Sequence, residues 1–281
     1  MKFRTKLLLI LMIITIAPMT FLMSFAYLQY NRIIHMHVSS LARNQFESLS
    51  LQVQNSYRTI THSLGMLTFY SSSNLSILSA MRSMNEEEEI SGSDMYRLSQ
   101  NIMPTCQSIM YMYQDINGIY VFSTSGHVIG HARNYSTNIQ HEYNPLQDDW
   151  FQETVELDGS IYISSVDHHP MFKSYSESFF AAQLIRDVDR GFEPLGVVVI
   201  DCSPELFDLG SVNALADISE ITLTTADTQS VIYSNHQDLP ASIQDTEENT
   251  HTEAVQLTPF VLTLTLDYDY LLSEFDRTFV M

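Results

Sequence analysis

The chain has 281 residues, enough for a sizeable core in one or two domains. Its 33 acidic and 13 basic residues give a net charge of −20, which repels phosphate backbones and excludes nucleic-acid binding by the folded part. Hydrophobic residues make up 45% and aromatic residues 11%, too many for a disordered acidic tail, and two cysteines are too few for a disulfide-stapled secreted fold.

Residues 1–6 carry Lys2, Arg4 and Lys6, and residues 7–28 form an uncharged apolar run. As a helix this run is long enough to cross a hydrocarbon core of about 30 Å. No acid precedes residue 30, and the acid-rich body follows. That asymmetry predicts a membrane anchor with residues 1–6 in the cytoplasm and everything beyond about residue 30 outside the cell. Pro18 is tolerated in such a helix. A cleaved signal peptide is the competing reading; the run is longer than the usual apolar core of one and lacks a small-x-small cleavage site.

Residues 29–92 are expected to form a long helix followed by a loop. Val38, Leu41, Leu49, Val53, Tyr57, Ile60, Leu64 and Leu67 recur mostly in steps of three and four, a helical stripe that must pack on a domain, on a second copy, or on both. Residues 71–74 and the acid run 86–89 mark the loop, and 94–113 reads as a second helix. The period then changes. Strands are predicted at 116–123 and 127–132 around the turn Thr124-Ser125-Gly126, and at 160–165, 178–188 and 195–201, with a short helix at 148–157. Short connections favour an antiparallel sheet.

Ser203-Pro204-Glu205 carries the signals of a helix start. A smaller set of strands is expected at 220–226, 230–234, 254–257 and 260–266, then a last helix over 269–281 leading to a second membrane crossing outside the chain. The fold class is α+β: two sheets stacked along the long first helix. Spacing leaves open whether Cys106 and Cys202 pair; the plain reading is two small buried apolar side chains.

Four phrases in this order carry a family resemblance. They are Lys6-Leu7-Leu8-Leu9-Ile10 with Ile16-Ala17-Pro18; Ile116-Asn117-Gly118-Ile119-Tyr120-Val121 before the Ser125-Gly126 turn; Asp149-Trp150-Phe151 opening a helix that ends at Asp158-Gly159; and Leu184-Ile185-Arg186-Asp187 leading to Pro194 and the run 195–201. The chain resembles the double Cache sensors of bacterial receptors, in particular the extracellular region of YesM-like sensor histidine kinases. The resemblance implies a membrane-distal PAS-like subdomain at 93–202 that binds a small molecule. It also implies a membrane-proximal PAS-like subdomain at 203–268, a homodimer, and a kinase beyond the second crossing. The same outer part would also suit a membrane-tethered transcription regulator or a chemoreceptor, and cleavage near residue 28 would leave a secreted solute-binding protein.

In similar sensors the position of Trp150 walls the ligand pocket; as a residue alone it serves equally as a core aromatic. Asp201 matches an aspartate that pairs with the ligand ammonium in amino-acid-binding relatives, and the bland alternative is a cap for the turn into Ser203. Those relatives have an arginine two residues before the tryptophan and a tyrosine after it, where this chain has Asp148 and Phe151. An acid in place of the carboxylate-clamping cation argues against a free amino acid. Asp148, Asp167 and Asp201 instead point to a cationic or hydroxylated ligand such as an amine or a sugar. Tyr120 and Tyr162 lie on strands near that site, facing either way. Arg186 reads as a strand-surface or ion-pair residue.

No metal or cofactor is expected. His127 and His131 are spaced for a strand face about 13 Å long, His168 and His169 would diverge, and no Cys-x-x-Cys or His-Glu-x-x-His occurs. Without a nucleophile elbow or phosphate loop, the chain reads as non-enzymatic.

Overall fold

A computed structural model describes residues 3–69, 77–86, 90–133, 138–140, 143–173, 176–212, 219–235 and 250–266. Three helices open the chain: α1 (Phe3–Phe69), α2 (Ile77–Glu86) and α3 (Gly92–Met112). Then come β1 (Ile116–Ser123), β2 (Val128–Ala132), α4 (Asp149–Glu156), β3 (Ile161–Ile163), β4 (Phe179–Asp187) and β5 (Glu193–Cys202). The second half holds α5 (Leu209–Val212), β6 (Ser219–Thr225), β7 (Val231–Ser234), β8 (Thr250–Ala254) and β9 (Phe260–Leu266).

The five strands of the first set form one antiparallel sheet, ordered β2-β1-β5-β4-β3, and the second set forms β7-β6-β9-β8. The two sheets differ in kind. In the smaller one, β6 alternates buried and part-exposed residues, the pattern of a sheet covered on one face. In the larger one β1, β4 and β5 are buried almost continuously, because both faces are covered.

One face of the larger sheet, with Ile119, Val198 and Ile200, merges with α1, α3 and the smaller sheet in a single core. On α1 the buried stripe runs through Val38, Phe46, Leu49, Val53, Ile60, Leu64 and Leu67. Phe207 joins the sheets: its ring stacks on Phe179 of β4 at 5.6 Å and meets Phe260 of β9 edge-on at 5.3 Å, while Tyr57 of α1 meets Phe260 at 5.8 Å. Polar bonds hold the same junction to α1. Ser56 Oγ donates to the Leu206 carbonyl at 2.7 Å, and Gln45 Nε2 donates to that of Val212 at 3.0 Å. At the other end of the larger sheet, Arg82 of α2 donates to both carboxylate oxygens of the buried Asp187.

Several expectations need correction. The region between the loop signals contains α2, whose Ile77, Ala80, Met81 and Met84 are buried. Ser203 does cap a turn, but the helix stops as a 3-10 turn at Phe207, because Asp208 adopts φ 44° and redirects the chain into α5. The strand expected at 254–257 is displaced: β8 pairs with β9 over Thr250–Ala254, and Leu257 lies in the exposed turn beyond it. Cys106 and Cys202 are both free thiols, buried in the shared core. Arg186 forms its ion pair with Asp158. The loop expected at 71–74 and 87–89 and the helix expected at 269–281 lie outside the described residues.

The apolar run 7–28 is the first part of α1, continuous with the stripe. Among the described residues no helix is long and apolar enough to cross a membrane; the side chains of residues 3–11 and of Ile13, which include the start of the expected span, lie outside that description.

Phe207→Ala removes the ring shared by both sheets and α1. It should lower unfolding stability by about 3–5 kcal/mol, read from urea denaturation of the purified chain.

Candidate ligand-binding site

The second face of the larger sheet is a separate core of Tyr120, Phe122, Phe180, Ala182, Val197 and Val199, covered by Phe151 of α4 and by loop residues Ile139, Met171 and Phe172. Strand register fixes who is beside whom. Gly118, Asp201 and Phe180 form one row, and Gly130, Tyr120, Val199, Ala182 and Tyr162 form the next.

Two glycines shape the middle of this face. A Cβ on Gly118 would lie 2.4 Å from the Tyr120 hydroxyl oxygen, and one on Gly130 would lie 2.4 Å from Tyr120 Cδ1. The phenol therefore lies flat on the sheet in a cradle that only missing side chains provide. Its hydroxyl sits over Gly118, whose cross-strand neighbour is Asp201.

Asp201 is 3% exposed, and its Oδ1 has no hydrogen-bond partner among the described residues; the Tyr120 hydroxyl is buried as well, with the Asn138 side chain beside it. Burial raises the Asp201 carboxyl to about 6, against the opposing pull of hydrogen bonds from Ser178 and Asn117. Burial first, and then the neighbouring Asp201, raises the Tyr120 phenol far above its ordinary range. A buried carboxylate oxygen with an unmet hydrogen bond thus shares this face with a buried phenol hydroxyl. Such groups are costly to leave unpaired unless something else completes them.

Aromatic rings surround them. Trp150 meets Phe122 edge-on at 5.4 Å and Phe180 at 5.1 Å, and Tyr162 lies 5.8 Å from Phe180. Trp150 Nε1 donates to the Tyr143 hydroxyl at 2.8 Å, and that hydroxyl in turn donates to Asp148. Tyr143 therefore locks the tryptophan to α4's own N-terminal acid.

The structure brings Asp201, Tyr120, Trp150 and Tyr162 to one face, with Asp148 linked to it through Tyr143 and Asp167 through a backbone bridge to Ser178. Asp148 accepts from Tyr143 and stands at the start of α4 without a side-chain capping bond. Asp167 is exposed, and its carboxylate accepts the backbone N–H of His168. Sequence reasoning missed Asn117, Ser178, Phe180, Phe172 and His169. His169 Nε2 donates to the Ser178 carbonyl at 2.9 Å, its ring meets Phe180 at 4.8 Å, and burial lowers its pKa. Among the described residues no group of histidine, cysteine and acidic side chains is placed to hold a metal ion.

No family model matches the chain, and no curated protein is similar to it in sequence. Solved structures are similar in shape. The ligand-binding domain of the Campylobacter jejuni chemoreceptor Tlp3 in complex with L-norvaline has a TM-score of 0.53 at 13% identity, covering 83% of this chain and 93% of that one. Its L-valine complex has a TM-score of 0.50 at 13% identity, over 83% and 95%. The Pseudomonas fluorescens chemoreceptor CtaA with L-serine reaches 0.49 at 13% identity, over 82% and 99%. The fold is shared with the ligand-binding domain of the Tlp3 chemoreceptor. At such identity the likeness concerns the fold, with its long N-terminal helix and two antiparallel sheets.

Asp201→Asn tests the buried carboxyl. Its folded pKa exceeds the value near 4 of an unfolded chain, so the folded state keeps the proton longer. Its contribution to stability is intact below about pH 4, is lost as pH rises to about 6, and stays lost above. The asparagine variant should be about 3 kcal/mol more stable at pH 7 and should lose that pH dependence between about 4 and 6, by urea denaturation at a series of pH values.

Proposed function

We propose that this chain is the outward-facing, ligand-sensing region of a membrane-anchored bacterial signalling receptor, and that it takes a small amine at Asp201. The carrying observation is the buried Asp201 Oδ1, without a hydrogen-bond partner among the described residues, on one face with the buried Tyr120 hydroxyl and among aromatic rings. An ammonium donates to both oxygens, supplies the counter-charge that a buried carboxylate lacks, and is attracted to aromatic faces. The domains of similar fold are crystallised with amino acids. This chain has Asp148 two residues before Trp150, tied to Tyr143, rather than a cation for an α-carboxylate. The amine reading follows from that departure, with a hydroxylated ligand such as a sugar as its rival.

For the anchor, the support is the exposed apolar face of α1: Ile14, Met19, Phe21, Leu22, Met23 and Leu28 are each at least 64% exposed. In this reading residues 7–28 lie in the bilayer, the distal subdomain senses, the proximal subdomain relays, and α1 carries the displacement inward in a homodimer. A histidine kinase is the effector that the phrase-level resemblance supports; a chemoreceptor output is favoured by the solved structures of similar fold.

Titration calorimetry of the full chain with putrescine, ethanolamine, phenethylamine, glucose and L-valine tests the ligand class. At least one amine should bind, its affinity should fall as pH drops below about 6 and Asp201 takes up its proton, and Asp201→Asn should abolish binding. Heat from L-valine or glucose with none from any amine would refute it. For the anchor, the chain should sediment with membranes and resist an alkaline carbonate wash, whereas a variant lacking residues 1–28 should be released.

A further inference from the structure

The cover over Tyr120 is made by two loop segments zipped together. Ile139 bridges Phe172, Gln140 N–H donates to the Met171 carbonyl at 2.9 Å, and Lys173 N–H donates to that of Asn138 at 2.6 Å. This short ladder presses the Phe172 ring onto Tyr120, with centroids 5.3 Å apart and planes tilted by 36°. Phe172 is 5% exposed, and its far side meets His169 at 6.0 Å. A benzyl group thus rests on the flat phenol, whose hydroxyl lies over Gly118, the cross-strand neighbour of the buried Asp201, and Asp201 Oδ1 has no hydrogen-bond partner among the described residues.

The two rings differ in what moving them would entail. Tyr120 lies in a central strand of the sheet and is held by the Gly118 and Gly130 cradle. Phe172 is carried by a loop and leaves without breaking any ladder of the five-stranded sheet.

We infer that the Phe172 ring holds the ligand's place, and that the ligand is an arylalkylamine whose ring replaces it on Tyr120 while the ammonium reaches Asp201. This rests on the reading above that Asp201 takes an ammonium, and adds what the rest of the molecule must be. The seat is flat, apolar and walled by rings, so a planar aromatic body recovers the contacts that Phe172 gives up. A short aliphatic amine recovers none of them. The intrinsic occupant also lowers the affinity of every ligand by the fraction of molecules in which it has moved aside.

Calorimetry on the full chain compares phenethylamine with ethylamine in the wild type, Phe172→Ala, Phe172→Leu and Asp201→Asn. Phenethylamine should bind the wild type, bind Phe172→Ala about tenfold more tightly, and gain much more than ethylamine does. Phe172→Leu, which keeps apolar bulk without a ring, should fall between the two and serves if the alanine variant does not fold. Equal gains for the two amines, or no gain for phenethylamine while other amines bind in an Asp201-dependent way, would overturn this inference alone. Absence of any Asp201-dependent amine binding would remove the underlying reading with it.

Discussion

The architecture depends on one sheet being buried on both faces. In β4 and β5 successive residues feed two different cores, so Phe179 belongs to the core shared with α1 and Phe180 to the aromatic face beside Asp201. A sheet with a single covered face, like the smaller one here, has no second interior in which to hide a small molecule. The larger sheet has one, and its opposite side meets the smaller sheet through Phe207, whose turn is held to the long helix by Ser56. A shift of one residue in register would exchange the two cores and destroy both.

Much of this was legible in the sequence, and the rest was hidden for identifiable reasons. Strand β1 and the helix over 94–113 were visible because periodicity and turn residues agreed there. The element α2 was not, since its ten residues are short for a helical period and lie between loop signals. The helix start at Ser203 was correctly signalled, yet its length is set by Asp208 in a left-handed conformation, which composition does not announce. Asp201 and Trp150 were visible as residue types. Asn117, Ser178 and Phe172 were not, because their relevance comes from cross-strand register and loop placement. At Asp167 register again supplies what the sequence hides: its backbone bridges Ser178 while one carboxylate oxygen accepts from His168 N–H.

The two buried aspartates of the larger sheet make a useful contrast. Asp187 receives both arms of the Arg82 guanidinium, which holds its carboxyl below the usual range, and so serves to pin α2. Asp201 has hydroxyl and amide neighbours that only soften the cost of burial. Removing a charge from water is unfavourable unless a counter-charge or good hydrogen bonds replace it. The first acid is thereby completed by the chain itself, and the second is left to be completed.

Helix α1 spans 67 residues without interruption, and the body grips it from Ile34 to Leu67. At 1.5 Å per residue the remaining arm reaches about 45 Å beyond the body. A tilt of about 5° of the gripped segment would swing the far end by about 4 Å. The joint at Pro18, where a backbone N–H is missing, is the place along that arm where stiffness would drop and the swing could be redirected.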